Sequence, residues 1–366
     1  MSVASVSKPP VYRSDDRLDP ACKAAAGRYL QASRALGDRG WWGLRMSTAL
    51  RIFYWHLAAF DGKDDPRPQF TDLFNRSADL FNTAVHLAPG PDCFSPNAPA
   101  SSGQDSFEAR ISGLFSDVWL GLTDDIYFEQ SYEFTKTRLE RNGIDPETLF
   151  KDKVVVDAGC GSGKFAAAIA RFGAKQVIGL DIGEKGLEFA RAQAEKVPYG
   201  KRLDYRYGSL LEMPLESAAV DMVWSNGVIH HTLGYEQCLA EFARVLKPGG
   251  ELFLYVDGPS GLFELMCDTF VAAHVDLPRE LFQHFLVRLG INSGRVYWIM
   301  DCLYAPYERK TQAEVEALLR KYGFDDLRHL PRGINIDNNE MVAAGIPYAE
   351  VKYGNGMLKY LARKGR

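Results

Sequence analysis

The sequence has no cysteine pair at metal spacing, no long apolar run and no excess of basic charge, and each absence closes a class of function. Its six cysteines, at 22, 93, 160, 238, 267 and 302, stand far apart with no Cys-x-x-Cys and no Cys/His cluster. Reduced thiols of a cytoplasmic protein are expected, and no metal site. The start, Met1-Ser-Val-Ala-Ser-Val-Ser-Lys-Pro-Pro10, lacks the apolar core of a secretory leader. The aromatic-rich run Ile52-Phe-Tyr-Trp-His-Leu-Ala-Ala-Phe60 is far too short to span a bilayer, so no membrane partner is expected. With 43 Lys and Arg against 47 Asp and Glu the net charge is −4, without the basic footprint of a nucleic-acid binder. The 366 residues show no internal repeat and allow one main domain with additions.

What the chain does have is Val154-Val-Val-Asp157-Ala-Gly159-Cys160-Gly161-Ser-Gly163, an apolar run that ends on an acid and breaks into alternate glycines. The run reads as a strand covered on both faces, and the glycines let backbone approach a ligand closely. Lys164 to Arg171 then reads as a helix whose first amides favour an anionic group at the turn. A Walker A loop is excluded, because Ala158 and Phe165 stand where Gly and Ser or Thr are required. A dinucleotide fingerprint survives as Gly161-Ser-Gly163-Lys-Phe-Ala166. Further strand ends follow at Gln176–Asp181, Tyr205–Leu210 and Val220–Gly227, and Arg244-Val-Leu-Lys-Pro248-Gly249-Gly250 closes a helix and turns into a fifth strand.

Taken in order, these segments resemble the class I S-adenosylmethionine-dependent methyltransferases, and within them the ubiquinone/menaquinone-methyltransferase-like branch. Asp157-x-Gly159-x-Gly161-x-Gly163 is similar to the family's first motif, Asp181 to its ribose acid, Gly208-Ser209-Leu210 to its adenine-edge motif, and Asn226-Gly-Val-Ile-His230-His231 to its motif after the fourth strand. Ser209 departs from the family, which often has Asp there. The resemblance implies an α/β fold: a Rossmann-like, doubly wound, seven-stranded sheet, mostly parallel with the last strand antiparallel. It implies S-adenosyl-L-methionine as cofactor. Its methionyl part would lie against Asp157, Gly159, Cys160, Gly161 and Gly163, its ribose on Asp181, and its adenine between Ile182 and Leu210, with Ser209 and Asn226 beside it. Tyr127 and Tyr132, just ahead of the first motif, are the aromatic candidates to fold over the cofactor and meet its sulfonium.

Around this core the chain divides into a mobile arm over 1–18, a helical N-terminal region over 19–145 with a linker near 89–105, the nucleotide-binding core over 146–258, a helical cap insertion over 259–310, and a completing segment over 311–366. Asp19-Pro20 caps the first helix; helices are expected over 21–36, 44–60 and 70–87, and Phe107 to Trp119 form an apolar helical stripe. The N-terminal helices could also serve a homodimer. Thr311-Gln-Ala-Glu314 has capping-box spacing, and Phe324–Leu330 and Met357–Arg363 read as the last strands.

Ligands of an open α/β sheet sit beyond the carboxyl ends of its strands, which directs attention to the loops there. His230 and His231 are the candidates for a base that removes a proton from the acceptor, with His231 preferred on the resemblance. The segment 331–356, too long for a hairpin, brings Arg332, Asn335, Asp337 and Glu340 as candidate substrate contacts, and Tyr304 and Tyr307 join them from the insertion. With Asp257 and Asp301, the acids could form a wall suited to an amine or guanidine, whereas Arg332 and the tyrosines would suit an acidic or phenolic acceptor. The expected activity is methylation of a small molecule, with N-methylation slightly preferred over O- or C-methylation. RNA or protein methylation, and a non-catalytic nucleotide-binding scaffold, are the alternatives.

Overall fold

The computed structural model describes residues 18–36, 41–86, 123–259, 261–291, 293–305 and 307–365. Apart from Leu18 the expected arm lies outside these residues, as do the linker near 89–105 and the apolar stripe from Phe107 to Trp119.

In chain order the chain forms α1 (Pro20–Ala35), α2 (Trp42–Asp61), α3 (Arg67–Val85), a π-helical turn (Asp125–Gln130), α4 (Ser131–Glu140) and α5 (Pro146–Phe150). The alternating region follows as β1 (Val154–Ala158), α6 (Lys164–Arg171), β2 (Gln176–Asp181), α7 (Glu184–Ala194), β3 (Leu203–Tyr207), β4 (Val220–Asn226), α8 (Tyr235–Val245) and β5 (Leu246–Asp257). Three helices come next, α9 (Leu262–Ala273), α10 (Arg279–Arg288) and α11 (Ser293–Tyr304). The chain ends with α12 (Gln312–Lys321), β6 (Phe324–His329), α13 (Asn338–Ala343), α14 (Ala349–Tyr353) and β7 (Met357–Lys364).

These elements gather into two units. One contains 105–258, 308–345 and 355–366 and holds the whole sheet, in the order β3-β2-β1-β4-β5-β7-β6. β1 pairs in parallel with β2 and β4, β2 with β3, and β4 with β5, while β7 runs antiparallel to both β5 and β6. This is the open, mostly parallel Rossmann-like sheet that the family resemblance implies. The order in which successive strands are added reverses between β1 and β4, the place where such sheets bind ligands. β1 is buried on both faces because Val156 and Ala158 enter one apolar cluster and Val155 enters the other.

Two local readings change. The Pro248-Gly249-Gly250 turn lies within β5, where the pairing register shifts opposite Val220–Met222 and Gly249 adopts a φ of 77°. The segment 331–356 is not an open loop, since α13 and α14 lie inside it.

The described residues of the second unit, which fall within 1–104, 259–307 and 346–354, form helices and their connections. Its core packs Tyr29 against Phe74, Phe81 and Phe270 at centroid separations of 5.4, 5.3 and 5.9 Å. Arg45, fully buried, donates to both carboxylate oxygens of Asp276 at 2.7 Å and to the Ala273 carbonyl. Thus residues 259–307 cluster with α1–α3, and α4 clusters with the sheet.

Candidate functional site

The turn from β1 into α6 is built from backbone that only glycine adopts without strain. Gly159, Gly161 and Gly163 have φ of 80°, 53° and 80°. A Cβ on Gly163 would stand 2.6 Å from the Tyr205 hydroxyl, and one on Gly159 would collide with Val228. Tyr205 therefore closes the turn from β3, donating to the Gly163 carbonyl at 3.2 Å, and the Tyr127 hydroxyl lies beside its own.

Two acids stand at the neighbouring ends of β1 and β2. Asp181 accepts from the Gly161 amide through one oxygen and from the Gly183 amide through the other, each at 2.8 Å. Asp157 is 2% exposed, and its Oδ2 accepts no hydrogen bond from the described residues. Burial, reinforced by the charge of Asp181, pushes the Asp157 carboxyl up to about 8, with the Ala166 amide at the start of α6 pulling weakly the other way. A buried carboxylate with an idle oxygen is costly unless a cation or donor completes it. Ser162 Oγ and Asn226 Oδ1 are likewise without partners among the described residues. Ser162 escaped the sequence reading because nothing in its type separates it from an ordinary turn serine.

The amides of the turn are more committed than its glycines imply. Those of Gly159 and Cys160 donate to the Leu180 carbonyl at 2.8 and 3.1 Å, that of Gly161 to Asp181, and that of Gly163 to the Cys160 carbonyl at 2.8 Å. What the turn offers an amino-acid ligand is therefore chiefly the idle oxygen of Asp157, which suits an ammonium group, while Asp181 keeps lone pairs for hydroxyls. Cys160 is buried, and burial with the two acids holds its thiol far above the ordinary range, so it stays protonated.

Other expected residues fall in varied places. Leu210 packs into the core with Ile178, Leu180 and Met213, and Ile182 is half-buried. Ser209 Oγ accepts from the Leu211 amide at 3.2 Å. Tyr127 is fully buried in the π-helical turn. Tyr132 is not brought to the glycines: its ring stacks on Phe172 at 4.4 Å and carries the Arg171 guanidinium at 4.0 Å, at the far end of α6.

His230 and His231 follow β4 in a short 3₁₀ turn and are 2% and 9% exposed. His230 Nδ1 accepts from the Asp257 amide at 3.0 Å, and the two Nε2 atoms stand 3.0 Å apart. Burial, His231 and Arg309 together hold the His230 imidazole well below its usual range, so it is neutral.

The acids of the 331–345 segment are neutralised by cations. Asp337, 1% exposed, accepts from Arg138 at 2.7 and 2.8 Å and from Lys359 at 2.7 Å. Burial opposes its ionisation, but these two cations outweigh burial and hold the carboxyl at about 2. Glu340 takes both a bidentate contact from Arg332, at 2.9 and 2.6 Å, and an ion pair with Arg141 at 3.2 Å. Asn335 accepts from Arg141 at 3.0 Å. Tyr304 and Tyr307 belong to the helical unit, where they donate to the Leu277 carbonyl at 3.3 Å and to Asp301 at 2.8 Å. No group of three or more metal-ligating side chains occurs among the described residues, and no described helix is long and apolar enough to cross a membrane.

Known proteins share this core. A family model described as a methyltransferase domain matches residues 156–254. The 27-O-demethylrifamycin SV methyltransferase of Amycolatopsis mediterranei (strain S699) is 36% identical over 165 residues, 44% of this chain and 60% of that protein. The malonyl-[acyl-carrier protein] O-methyltransferase of Methylovorus sp. (strain MP688) is 37% identical over 150 residues, 38% of this chain and 51% of that protein. The 24-methylenesterol C-methyltransferase 2 of Oryza sativa subsp. japonica is 30% identical over 246 residues, 63% of this chain and 61% of that protein. The chain thus spans between half and two thirds of the length of these relatives. Because the matched segment contains the glycine turn, both acids and the reversal point of the sheet, the chain carries a class I S-adenosylmethionine-dependent methyltransferase domain.

Proposed function

We propose that the protein transfers a methyl group from S-adenosylmethionine to an oxygen or carbon atom of a small molecule. The observation that carries this reading is Asp157: a buried carboxylate with an idle oxygen, at the end of the strand that feeds the glycine turn. Bound there, the cofactor supplies a methyl group already activated on a sulfonium. Asp157 would hold its amine and Asp181 its ribose, and the chain's remaining task is to align the acceptor and keep water out. Ser162 and Asn226 are further polar contacts on the same side of the sheet.

The choice of oxygen or carbon over nitrogen rests on charge. The preference for an amine depended on an acidic wall, yet Asp337 and Glu340 are each balanced by two cations. The relatives named above act on O and C atoms by their own names, which supports the same choice.

The test is a methyl-transfer assay with S-adenosylmethionine labelled in its methyl group, against phenols, enols, carboxylic acids and amines. Label in the first three classes and not in amines is expected. Label confined to amines would overturn the acceptor assignment, and absence of S-adenosylhomocysteine binding by calorimetry would remove the activity altogether.

A further inference from the structure

From an unpaired imidazole inside an aromatic cluster of the helical unit, we infer that His56 of α2, with Phe60, Phe263 and Trp298 around it, binds a planar aromatic molecule that carries a hydroxyl group.

The first observation is the state of His56. It is 4% exposed, and neither ring nitrogen has a hydrogen-bond partner among the described residues. Burial, with the positive charge of Arg295 acting the same way, pushes it down to about 3, so the ring is neutral near pH 7. A neutral imidazole has one N–H to give and one lone pair to fill. Buried polar atoms of this kind are as a rule satisfied, and those that are not call for a missing partner.

The second observation is what surrounds the ring. Phe60 meets it edge-on at 4.1 Å and Phe263 stacks on it at 5.1 Å, while Trp298 lies at 5.6 Å and Phe53 stands edge-on at 6.4 Å. Phe263 of α9 and Trp298 of α11 are parallel to within 5°, with centroids 5.8 Å apart. Both are half-buried, so the aromatic wall meets solvent where His56 does not.

These two facts select the ligand. A water at His56 would need about two to four polar partners, and the ring contacts offer it none. An aromatic body gains by packing on the parallel rings, and one hydroxyl on it, donor and acceptor at once, satisfies whichever nitrogen it reaches. Arg295, which disfavours the imidazolium, disfavours a cationic ligand for the same reason. Every residue named lies in the helical unit, so the site goes beyond the methyltransferase reading and stands or falls without it.

Equilibrium dialysis of the full chain against 2-naphthol and against naphthalene tests the assignment. The wild type should hold 2-naphthol about tenfold more tightly, the worth of one hydrogen bond to a buried and otherwise unpaired atom. His56→Phe keeps an aromatic ring in place and removes both nitrogens, so its affinities for the two compounds should agree within about twofold. Equal affinities in the wild type, or a preference for 2-naphthol that survives His56→Phe, overturn the inference. Should the variant not fold, a crystal structure of the wild-type protein with 2-naphthol decides. The hydroxyl within hydrogen-bond distance of a His56 ring nitrogen supports the assignment, and the compound bound anywhere else overturns it.

Discussion

Around Asp337 two cations share one carboxylate in a place from which water is excluded, and the balance is local. Arg138 and Lys359 are side chains of α4 and β7, with 10% and 1% of their side-chain surface exposed. Burial, seconded by Arg138, pulls the Lys359 ammonium down to about 8, and Asp337 resists that. Removing the negative charge leaves two cations facing each other without water. Asp337→Asn should cost about 3–5 kcal/mol, the range for breaking a buried ion pair from one side. Urea denaturation reads this as a lower midpoint at an unchanged slope. Arg332 pairs with Glu340 from a half-exposed position, so Arg332→Ala should cost below about 1 kcal/mol. Equal losses in the two variants would show that burial does not set the strength of these pairs.

In the helical unit the same logic acts on histidine. His56 of α2 is 4% exposed, stacks on Phe263 at 5.1 Å, meets the edge of Phe60 at 4.1 Å, and has no partner for either ring nitrogen among the described residues. Burial, with Arg295 nearby, pushes it down to about 3, and burial with Arg45 does the same to His274 of the α9 C-terminus. Between about pH 6.5 and pH 3 the unfolded chain binds protons that these folded histidines refuse. Stability is therefore present above pH 6.5 and falls with pH below it, by up to about 1.4 kcal/mol per pH unit for each group. His56→Phe should raise the melting temperature at pH 5 more than at pH 7.5; an equal shift at both would exclude a proton-linked cost at His56. Much of the element pattern is legible in the sequence, because β-branched runs, glycine turns and caps are local signals. The Thr311–Glu314 capping box forms as its spacing implies, β2 ends on Asp181 and β1 ends one residue past Asp157. What is not legible is pairing across distance. Asp337 looks like a ligand acid until Arg138, 199 positions away, is placed against it. Likewise the Asp257 amide, 27 positions on, takes Nδ1 of His230, a contact that no local signal announces.

For the whole molecule, Asp157 sets a proton balance that binding must disturb. Its carboxyl is raised from an ordinary 3.8 to about 8 in the ligand-free fold. Across that interval the folded protein holds a proton the unfolded chain has lost, so the site's contribution to stability declines as pH rises. The decline is up to about 1.4 kcal/mol per pH unit. An ammonium ligand requires the ionised form, so binding below pH 8 releases a proton. Affinity for S-adenosylhomocysteine should then increase from pH 6 to pH 8, by up to about tenfold per unit. Calorimetry in buffers of different ionisation enthalpy measures both quantities. Asp157→Asn removes the titrating group and the charge-assisted hydrogen bond together. Its affinity should be nearly flat over this range and about 10- to 100-fold below wild type at pH 8, the loss of roughly 1.5–3 kcal/mol. The ligand-free variant should also lose the fall in melting temperature between pH 6 and pH 8, because no buried carboxyl remains to ionise. A wild-type protein that binds with the same affinity at pH 6 and pH 8 and exchanges no proton would mean that Asp157 is already ionised before the amine arrives. The turn would then owe its selectivity to shape, with Val228 and Tyr205 pressed against its glycines, and not to the idle oxygen.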